Sequence, residues 1–216
     1  RQMCIRDSPN IVYVHNTWFK ASLGIFNILK SKNIKTVIKN IKLNLMGAYN
    51  ILNSVSAIAL CLHIGISSKI IRNSLYKFSG IQRRLNKVLV KGNIEFFDDY
   101  AHHPTEIKSV FETIRSNYLN KENCVIFQPH LYSRTKFLIN EFASELSKFD
   151  NVYLLDIYPA REKKIKGITS KLLLSKIKNT SKEIIKKHQI KNVVMKSKAE
   201  VFALLGAGDI GVEVNK

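Results

Sequence analysis

The most constraining feature of this sequence is a regular alternation of short and long apolar patterns along its second half. Short apolar runs, typical of buried strands, occupy Cys124–Phe127, Val152–Ile157 and Val201–Leu205. Between them, Pro104–Tyr118 and Thr135–Phe149 place apolar side chains three and four residues apart, which predicts helices. Strands that alternate with helices in this order pack as helices against a mainly parallel sheet. The pattern therefore predicts an α/β fold.

Further elements are predicted on both sides of this pattern. Val88–Val90 and Glu95–Phe97 flank Gly92–Asn93 and predict two strands joined by a turn. The remaining expected elements of the second half are two helices and a closing strand-like run, at Ser170–Ile177, Lys182–His188 and Val193–Met195.

The first half is expected to contain two strands and two helices. The strands are expected at Ile11–Val14 and Lys35–Ile41, with Gly24 and Asn33 as breaks, and the first helix at Asn50–Ile64. Ser67 or Ser68 can cap the second helix. The inner faces are expected to comprise Leu52, Val55, Ala59 and Leu62 in the first helix and Ile70, Ile71, Ser74, Leu75 and Phe78 in the second.

Two boundaries divide the chain. Residues 1–8 show neither helical nor strand periodicity and resemble translated adapter sequence, so they are treated as a non-native leader, and the natural sequence is expected to begin near Pro9. Gly80 ends the second predicted helix and is the expected domain boundary. The expected domains are therefore residues 9–79 and residues 80–216.

The basic composition has an ordinary explanation. The formal net charge is +19, and Lys outnumbers Arg by 27 to 8 among the 35 basic residues. Proteins that bind nucleic acids concentrate basic side chains on one face, with Arg prominent, whereas here Lys is spread along the chain beside abundant Ile and Asn. A/T-rich codons favour those residues. The charge is therefore attributed to genome composition, and no nucleic-acid partner is expected.

Apolar runs and cysteines indicate the compartment. The longest apolar run, Val55–Leu62, is interrupted by Ser56 and falls short of the ~18 residues that a membrane span needs. The three cysteines, Cys4, Cys61 and Cys124, are odd in number and share no metal-ligand spacing, which favours a reducing compartment. We expect a cytoplasmic protein with no membrane partner.

The densest group of reactive side chains is Asp98–Glu106, which follows a predicted strand and precedes a predicted helix. In open α/β sheets, ligands bind at the carboxyl ends of strands. Two carboxylates and two histidines at this position could hold a metal ion, hydrogen-bond a ribose or position an amine. The structural alternative is that Asp99 and the histidines only cap the following helix.

Two more segments follow strands. Phe127–Thr135 opens a helix, whose N-terminus favours anions, and contains His130 and Arg134; a guanidinium suits a carboxylate or a phosphoryl group. Asp156–Glu162 is expected to be a simple transition from strand to loop.

The segment Gly206–Gly211 matches the G-x-G-x-x-G pattern of dinucleotide sites. Such a site needs a full helix, a second strand and an acidic residue ~20 positions later, and these 216 residues do not provide them. Close backbone packing at the end of the sheet is the better interpretation.

Six segments taken in order resemble the latter half of the bacterial Mur ligases over residues 47–208. The segments are Asn50–Asn53, Phe78–Arg84, Asp98–Ile107, Phe127–Thr135, Asp156–Ala160 and Gly206–Ile210. The pair DDYAHHPTEI and FQPHLYSRT resembles the members that add L-alanine to UDP-N-acetylmuramate. The resemblance implies the remnant of a central ATPase domain in residues 9–79 and a Rossmann-like C-terminal ligase domain with a mainly parallel sheet in residues 80–216.

The resemblance also implies an ATP-dependent amide ligation. ATP phosphorylates the muramyl carboxylate, the amine of L-alanine attacks the acyl phosphate, and Mg²⁺ with cationic side chains stabilises the transferred charge. The implied cofactors are ATP and Mg²⁺, and the implied substrates are UDP-N-acetylmuramate and L-alanine.

Family roles carry over to matching positions. The implied ATP-binding residues are Asn50, Asn53, Arg84 and Asp99. The residues implied to surround the alanine and the muramyl end are Tyr100, His102, His130 and Arg134, of which His102, His130 and Arg134 are the implied catalytic residues. No metal ligand is assigned.

The sequence departs from the family pattern in ways that bear on activity. Tyr49 stands where a histidine is common, and Leu131 stands where some members carry an arginine. A G-x-x-G-K-[ST] phosphate loop is absent from the 216 residues, as is the UDP-binding domain. Because loss of one charge-stabilising donor can cost ~10²–10³ in rate, we expect the chain to be inactive without the missing N-terminal half as its partner.

Two other classes remain open. A stand-alone basic module that binds a nucleotide or a nucleic acid would depend on the +19 charge. A metal-dependent hydrolase would require three ligands to converge on one ion. Its candidate ligands are Asp98, Asp99, His102, His103 and His130.

Overall fold

The computed structural model describes the backbone of residues 12–20, 23–30, 38–91, 94–179 and 181–215. The chain divides into two compact units, Arg1–Gly80 and Ile81–Lys216. The expected leader, residues 1–8, lies outside the described residues. In the part of the chain that the structure describes, no helix is long and apolar enough to cross a membrane.

The first unit combines an antiparallel sheet with two helices. Its strands, in the order β1–β2–β3, are Val12–Lys20, Leu23–Lys30 and Ile38–Leu43. Its helices α1 and α2 are Ala48–His63 and Ser68–Lys77. The sequence predicts both helices and the two outer strands. It does not predict β2, because Gly24 lies inside this strand rather than at a break.

The helices of the first unit bury partly different residues from those that the sequence predicts. Ser67 caps α2 as expected, since its hydroxyl accepts the amide of Ile70 at 3.5 Å. Leu52 and Ile70 are exposed, whereas Ile51 and Ile71 are buried. The expected inner faces are therefore partly wrong, because apolar spacing alone does not fix which side of a helix faces the sheet.

The second unit is a six-stranded sheet with helices. Its strands β4 to β9 are Asn86–Lys91, Ile94–Asp99, Asn123–Phe127, Asn151–Leu154, Lys182–Ile184 and Val201–Leu205. Its helices α3 to α7 are Pro104–Asn117, Tyr132–Phe137, Ile139–Leu146, Ser170–Lys176 and Ile190–Lys196. Short 3₁₀ helices occupy Lys187–Gln189 and Asp209–Asn215.

The sheet is mainly parallel, which confirms the predicted fold class. The strand order is β4–β5–β9–β6–β7–β8. Neighbouring strands from β5 to β8 are parallel, and only the hairpin pair β4–β5 is antiparallel. Strand β9, the last in sequence, therefore lies between β5 and β6 in the middle of the sheet.

Three predicted elements of the second unit differ from the structure. The helix expected over Thr135–Phe149 begins earlier, at Tyr132, and is interrupted at Leu138, which ends α4 and precedes α5. Lys182–His188 is not a helix, because its first residues pair with β7 as strand β8. Val193–Met195 is not a strand but lies within α7. All residues of the central strands β6 and β9 are buried, so the sheet is covered on both faces at its centre.

Candidate active site

The candidate active site lies where four parallel strands of the second unit end. The loops after β5, β9, β6 and β7 contain the four segments that the sequence analysis singles out. Asp99 pairs with Leu205, and Leu205 pairs with Phe127, so these loops begin at one edge of the sheet. The sequence-predicted site residues found at this edge are Asp99, Tyr100, His102, His130 and Arg134.

Asp99 is the last residue of β5, and both of its carboxylate oxygens accept backbone amides. Oδ1 accepts the amide of Ala101 and Oδ2 that of Leu85, each at 2.7 Å. Burial raises the pKa of Asp99 to about 6 despite these hydrogen bonds, and the carboxylates of Glu106 and Asp98 also raise it. Each oxygen keeps a second lone pair, so the ionised side chain can still accept a hydroxyl group.

Arg83, which the sequence analysis does not assign, extends into this edge of the sheet. Its guanidinium donates to the carbonyls of Gly206 and Gly208, the latter at 3.3 Å. Its Nε lies 3.5 Å from Oδ2 of the buried Asp98, and its Cζ lies 4.9 Å from the centre of the Tyr100 ring. Arg83 thus connects the loop after β5 with the loop after β9.

Arg84, the arginine predicted to reach the nucleotide, stays at the surface. Arg83 and Leu85 have left-handed backbone φ angles of 59° and 47°, so the chain turns sharply on both sides of Arg84. The Arg84 backbone amide donates to Asn86 Oδ1 at 3.0 Å, while its side chain has no hydrogen bond or ion pair among the described residues. Its guanidinium is available to a ligand.

His103, and not Asp99, caps α3. Its Nδ1 accepts the amide of Thr105 at 3.4 Å, and Glu106 Oε2 accepts the amides of His102 and His103 at 2.8 and 3.0 Å. This reciprocal pattern is a capping box. The capping alternative is therefore correct for one of the two histidines, His103.

The His102 ring is held against Tyr100. Its Nδ1 lies 2.9 Å from the carbonyl oxygen of Tyr100 and 3.5 Å from Glu106 Oε2. The rings of Tyr100 and His102 meet edge to face, with centroids 5.4 Å apart. Since Tyr100 is itself exposed, the pair forms one wall of an open site.

His130 and Arg134 form the facing wall. The His130 ring stacks on Tyr158 with centroids 5.5 Å apart, and its centroid lies 6.1 Å from that of His102. A guanidinium nitrogen of Arg134 lies 3.4 Å from His130 Nδ1. Burial lowers the pKa of His130, and the positive Arg134 and the neighbouring His102 lower it further. Burial and the two neighbouring groups therefore favour the neutral form of the His130 ring, whereas Glu162 opposes them.

The segment Asp156–Glu162 is more than the simple transition that the sequence predicts. Backbone hydrogen bonds join Leu131 N to the carbonyl of Tyr158 at 2.9 Å and Tyr158 N to that of Pro129 at 2.8 Å. Glu162 accepts the amide of Ser133 at 2.9 Å and also its hydroxyl. The segment is held to the His130 loop because parallel pairing continues past β6 and β7 as a bridge between His130 and Tyr158.

The glycines after β9 pack closely against their neighbours, which confirms the interpretation of this segment. A Cβ on Gly206 would lie 2.9 Å from the carbonyl oxygen of Gln128, and one on Gly208 would lie 2.7 Å from the Tyr158 ring. Gln128 also donates to Asp209 Oδ1 at 2.9 Å. Gly208 therefore leaves room for the tyrosine on which His130 stacks.

Two of the implied ATP-binding residues, Asn50 and Asn53, lie in the first unit, at the start of α1. Asn50 is half-buried and donates its side-chain amide to the carbonyl of Met46 at 2.7 Å, whereas Asn53 is exposed. Their three-residue spacing places them on one side of the helix, as expected.

Metal ligation is not supported by the arrangement of the candidate ligands. Within the described ranges, no three His, Cys, Asp or Glu side chains form a group that could hold a metal ion. Asp99 is bound to two backbone amides, and Nδ1 of His103 is used in the helix cap.

Comparison with known proteins identifies the class that this fold and this site define. Residues 83–210 match the family model described as Mur ligase, glutamate ligase domain. The match covers more than half of the chain and includes all four loops at the sheet edge. The chain belongs to the Mur ligase family.

Three individual relatives show which Mur ligases the chain resembles. The chain is similar to proteins named UDP-N-acetylmuramate–L-alanine ligase, with 47% identity to that of Christiangramia forsetii over 86% of this chain and 40% identity to that of Flavobacterium psychrophilum over 93%. It covers 41% and 43% of those two proteins, so it spans about two fifths of their length. The crystal structure of the Thermotoga maritima UDP-N-acetylmuramate–alanine ligase superposes with a TM-score of 0.77 at 25% identity, over 94% of this chain and 44% of that one.

Proposed function

We propose that this chain is the C-terminal part of an ATP-dependent amide ligase that joins L-alanine to UDP-N-acetylmuramate through an acyl phosphate, a step of peptidoglycan synthesis in the cytoplasm. The observation that carries the proposal is the meeting of His102, His130 and Arg134 at one edge of the sheet, 6.1 Å between the two imidazole centroids and 3.4 Å between His130 and the guanidinium. The relatives' names support the choice of substrates.

The proposed amino-acid site uses charge and shape. Arg134 presents a cation suited to the carboxylate of L-alanine, and a hydrogen bond to a charged group contributes about 1.5–3 kcal/mol. Tyr100 and His102 form the opposite wall. An uncharged side chain suits a site walled by aromatic rings better than a charged one, which would lose hydration there.

The proposed ATP contacts are supported by polar groups that remain available to a ligand. Asp99 keeps lone pairs for ribose hydroxyls, Arg84 is exposed, and Asn53 is exposed on the same side of α1 as Asn50. Within the second unit, Asp99 suits a ribose and Arg84 suits a phosphate, and within the first unit Asn53 suits the polar edge of a base. Mg²⁺ does not fit the described residues, since they offer no cluster of ligands and the 216 residues lack a phosphate loop.

The proposal is tested with a chimera. Residues 9–216 are fused to the preceding part of the Christiangramia forsetii relative, and phosphate release is measured with ATP, UDP-N-acetylmuramate and L-alanine. We expect the chimera to release phosphate only when both substrates are present. The 216-residue chain alone is expected to release none, because it has no loop to hold the β- and γ-phosphates.

Two variants of the chimera locate the amino-acid site. Arg134→Ala removes the cation and is expected to raise the KM for L-alanine by about 10- to 100-fold, the range that corresponds to a lost charged hydrogen bond. Lys136→Ala, two residues away and exposed, is the matched control and is expected to leave this KM unchanged. Alanine-independent turnover, or an unchanged KM in Arg134→Ala, would contradict the proposed function.

A further inference from the structure

The two imidazoles of the candidate site are held in opposite tautomers. His102 Nδ1 lies 2.9 Å from the carbonyl oxygen of Tyr100. A carbonyl oxygen can only accept a hydrogen bond, so Nδ1 carries the proton and Nε2 of the neutral ring carries a lone pair. Among the residues that the structure describes, this Nε2 has no hydrogen-bond partner.

His130 has the reverse arrangement. Its Nδ1 lies 3.4 Å from a guanidinium nitrogen of Arg134, and a guanidinium can only donate. The lone pair is therefore on Nδ1 and the proton of the neutral ring is on Nε2. The ring centroids lie 6.1 Å apart, and Nε2 is an acceptor in His102 and a donor in His130.

Local contacts fix the His102 ring. Glu106 Oε2 accepts the backbone amides of His102 and His103 and lies 3.5 Å from His102 Nδ1. Tyr100 lies edge to face with the same ring. The other charged or titratable groups beside the two rings are Arg134, Tyr158 and Glu162, and Arg83 lies over the Tyr100 ring. Glu106 is thus a positioning residue for His102.

We propose that His102 is the base that removes a proton from the ammonium group of the incoming amino acid, and that His130 donates a hydrogen bond to the same substrate and does not act as a base. The proposal rests on the proposed function. An ammonium nitrogen has no lone pair, so it cannot attack the acyl phosphate before it loses a proton. His102 is the ring whose open nitrogen is an acceptor, whereas the only acceptor nitrogen of His130 faces Arg134.

Nε2 of His102 takes one proton, and the freed amine lone pair forms the C–N bond to the acyl carbon. The C–O bond to the phosphoryl group then breaks, and phosphate leaves with that electron pair. The second proton of the new amide nitrogen leaves with phosphate or water, and His102 returns its proton to solvent. A positioned base contributes about 10²–10⁴-fold in rate.

The tautomers can be measured in the 216-residue chain itself. Long-range ¹H–¹⁵N correlation spectra of ¹⁵N-histidine-labelled protein, recorded at a pH where the rings are neutral, assign the protonated nitrogen of each ring. We expect Nδ1–H for His102 and Nε2–H for His130. His103 is an internal reference of the opposite type to His102, because its Nδ1 accepts the amide of Thr105. A protonated Nε2 on neutral His102 would overturn the proposal.

The base role is measured in the chimera with His102→Gln. Ligation of L-alanine is expected to fall at least ~100-fold. Capture of the acyl phosphate by hydroxylamine, which is unprotonated at neutral pH and needs no base, is expected to stay near the parent rate. Lys108→Gln, on the exposed side of α3, is the control and should change neither rate. Thermal melting of each variant checks folding.

The outcomes separate the proposal from the function on which it rests. Equal loss of alanine ligation and hydroxylamine capture in a folded His102→Gln variant, or no loss of either, would overturn the base role. A parent chimera that ligates no alanine would overturn the proposed function and the base role with it, while the spectra of the free chain would still decide the tautomers.

Discussion

Replacement of Asp99 by Asn tests how the buried carboxyl affects stability. The folded state raises the pKa of Asp99 from 3.8 to about 6, with burial as the main cause. Between these two pH values the folded protein binds more protons at this site than the unfolded protein does. The free energy of unfolding therefore falls as pH rises through this range, because the ionised form is disfavoured in the folded state.

The size of the effect follows from the pKa. A tenfold change in proton affinity is worth about 1.4 kcal/mol, so the carboxyl contributes ~3 kcal/mol more stability below pH 4 than above pH 6. Asn cannot ionise, and its carbonyl can accept one of the two amides that Asp99 accepts. We therefore expect the stability of Asp99→Asn relative to the parent chain to rise by ~3 kcal/mol between pH 4 and pH 7.

Hydrogen–deuterium exchange of the β9 amides is the suitable assay, since these amides lie in the middle of the sheet and report on the second unit. Comparison of the two proteins at each pH cancels the intrinsic exchange rates. Asp156→Asn, which changes an exposed carboxylate paired with Lys186, is the control and should follow the parent chain. Parallel pH profiles for Asp99→Asn and the parent would refute the reasoning.

Two further predictions concern the core and the site. Phe142→Ala should lower the free energy of unfolding, measured by urea denaturation, by about 3–5 kcal/mol, because this fully buried ring packs against Phe127 with ring centroids 5.5 Å apart. The control Phe137→Ala, at a residue that is 78% exposed, should change the free energy of unfolding by less than about 0.5 kcal/mol. Arg134→Ala should raise the pKa of His130 measured by NMR titration, because the adjacent cation is removed. The pKa should still stay below the ordinary value of histidine, because burial is the largest cause of its lowering. An unchanged His130 titration would show that the guanidinium does not face this ring in solution.

Local sequence patterns predict most of the fold of the second unit, and the elements that they predict wrongly have local causes. Short apolar runs bounded by helical patterns predict β6, β7 and β9, since fully buried parallel strands are continuous apolar segments. The charged residues of 182–188 hide strand β8, which is an edge strand with little apolar burial. Leu138 gives no signal of the break between α4 and α5, because leucine is a good helix former.

The candidate site is predicted only in part, because its remaining contacts are long-range. Polar residues placed after strands predict the two facing loops. Arg83 and not Arg84 reaches the sheet edge because the chain makes a left-handed turn there. The carbonyls that accept from Arg83 are more than 120 residues away in the chain. Tyr158 likewise stacks on His130 only because β6 and β7 are neighbours. Of these long-range contacts, the sequence indicates only the close packing after β9, through the G-x-G spacing of Gly206 and Gly208.

The position of β9 in the sheet has a consequence for folding during synthesis. The strand at residues 201–205 is inserted between β5 and β6, which the ribosome produces much earlier. Until it is added, the facing edges of those two strands expose unpaired backbone groups, and the two walls of the candidate site have no common support. Closure of the sheet needs contacts between residues far apart in sequence, which slows folding. A nascent chain stopped before residue 201 therefore presents two open strand edges, which are targets for chaperones and for aggregation.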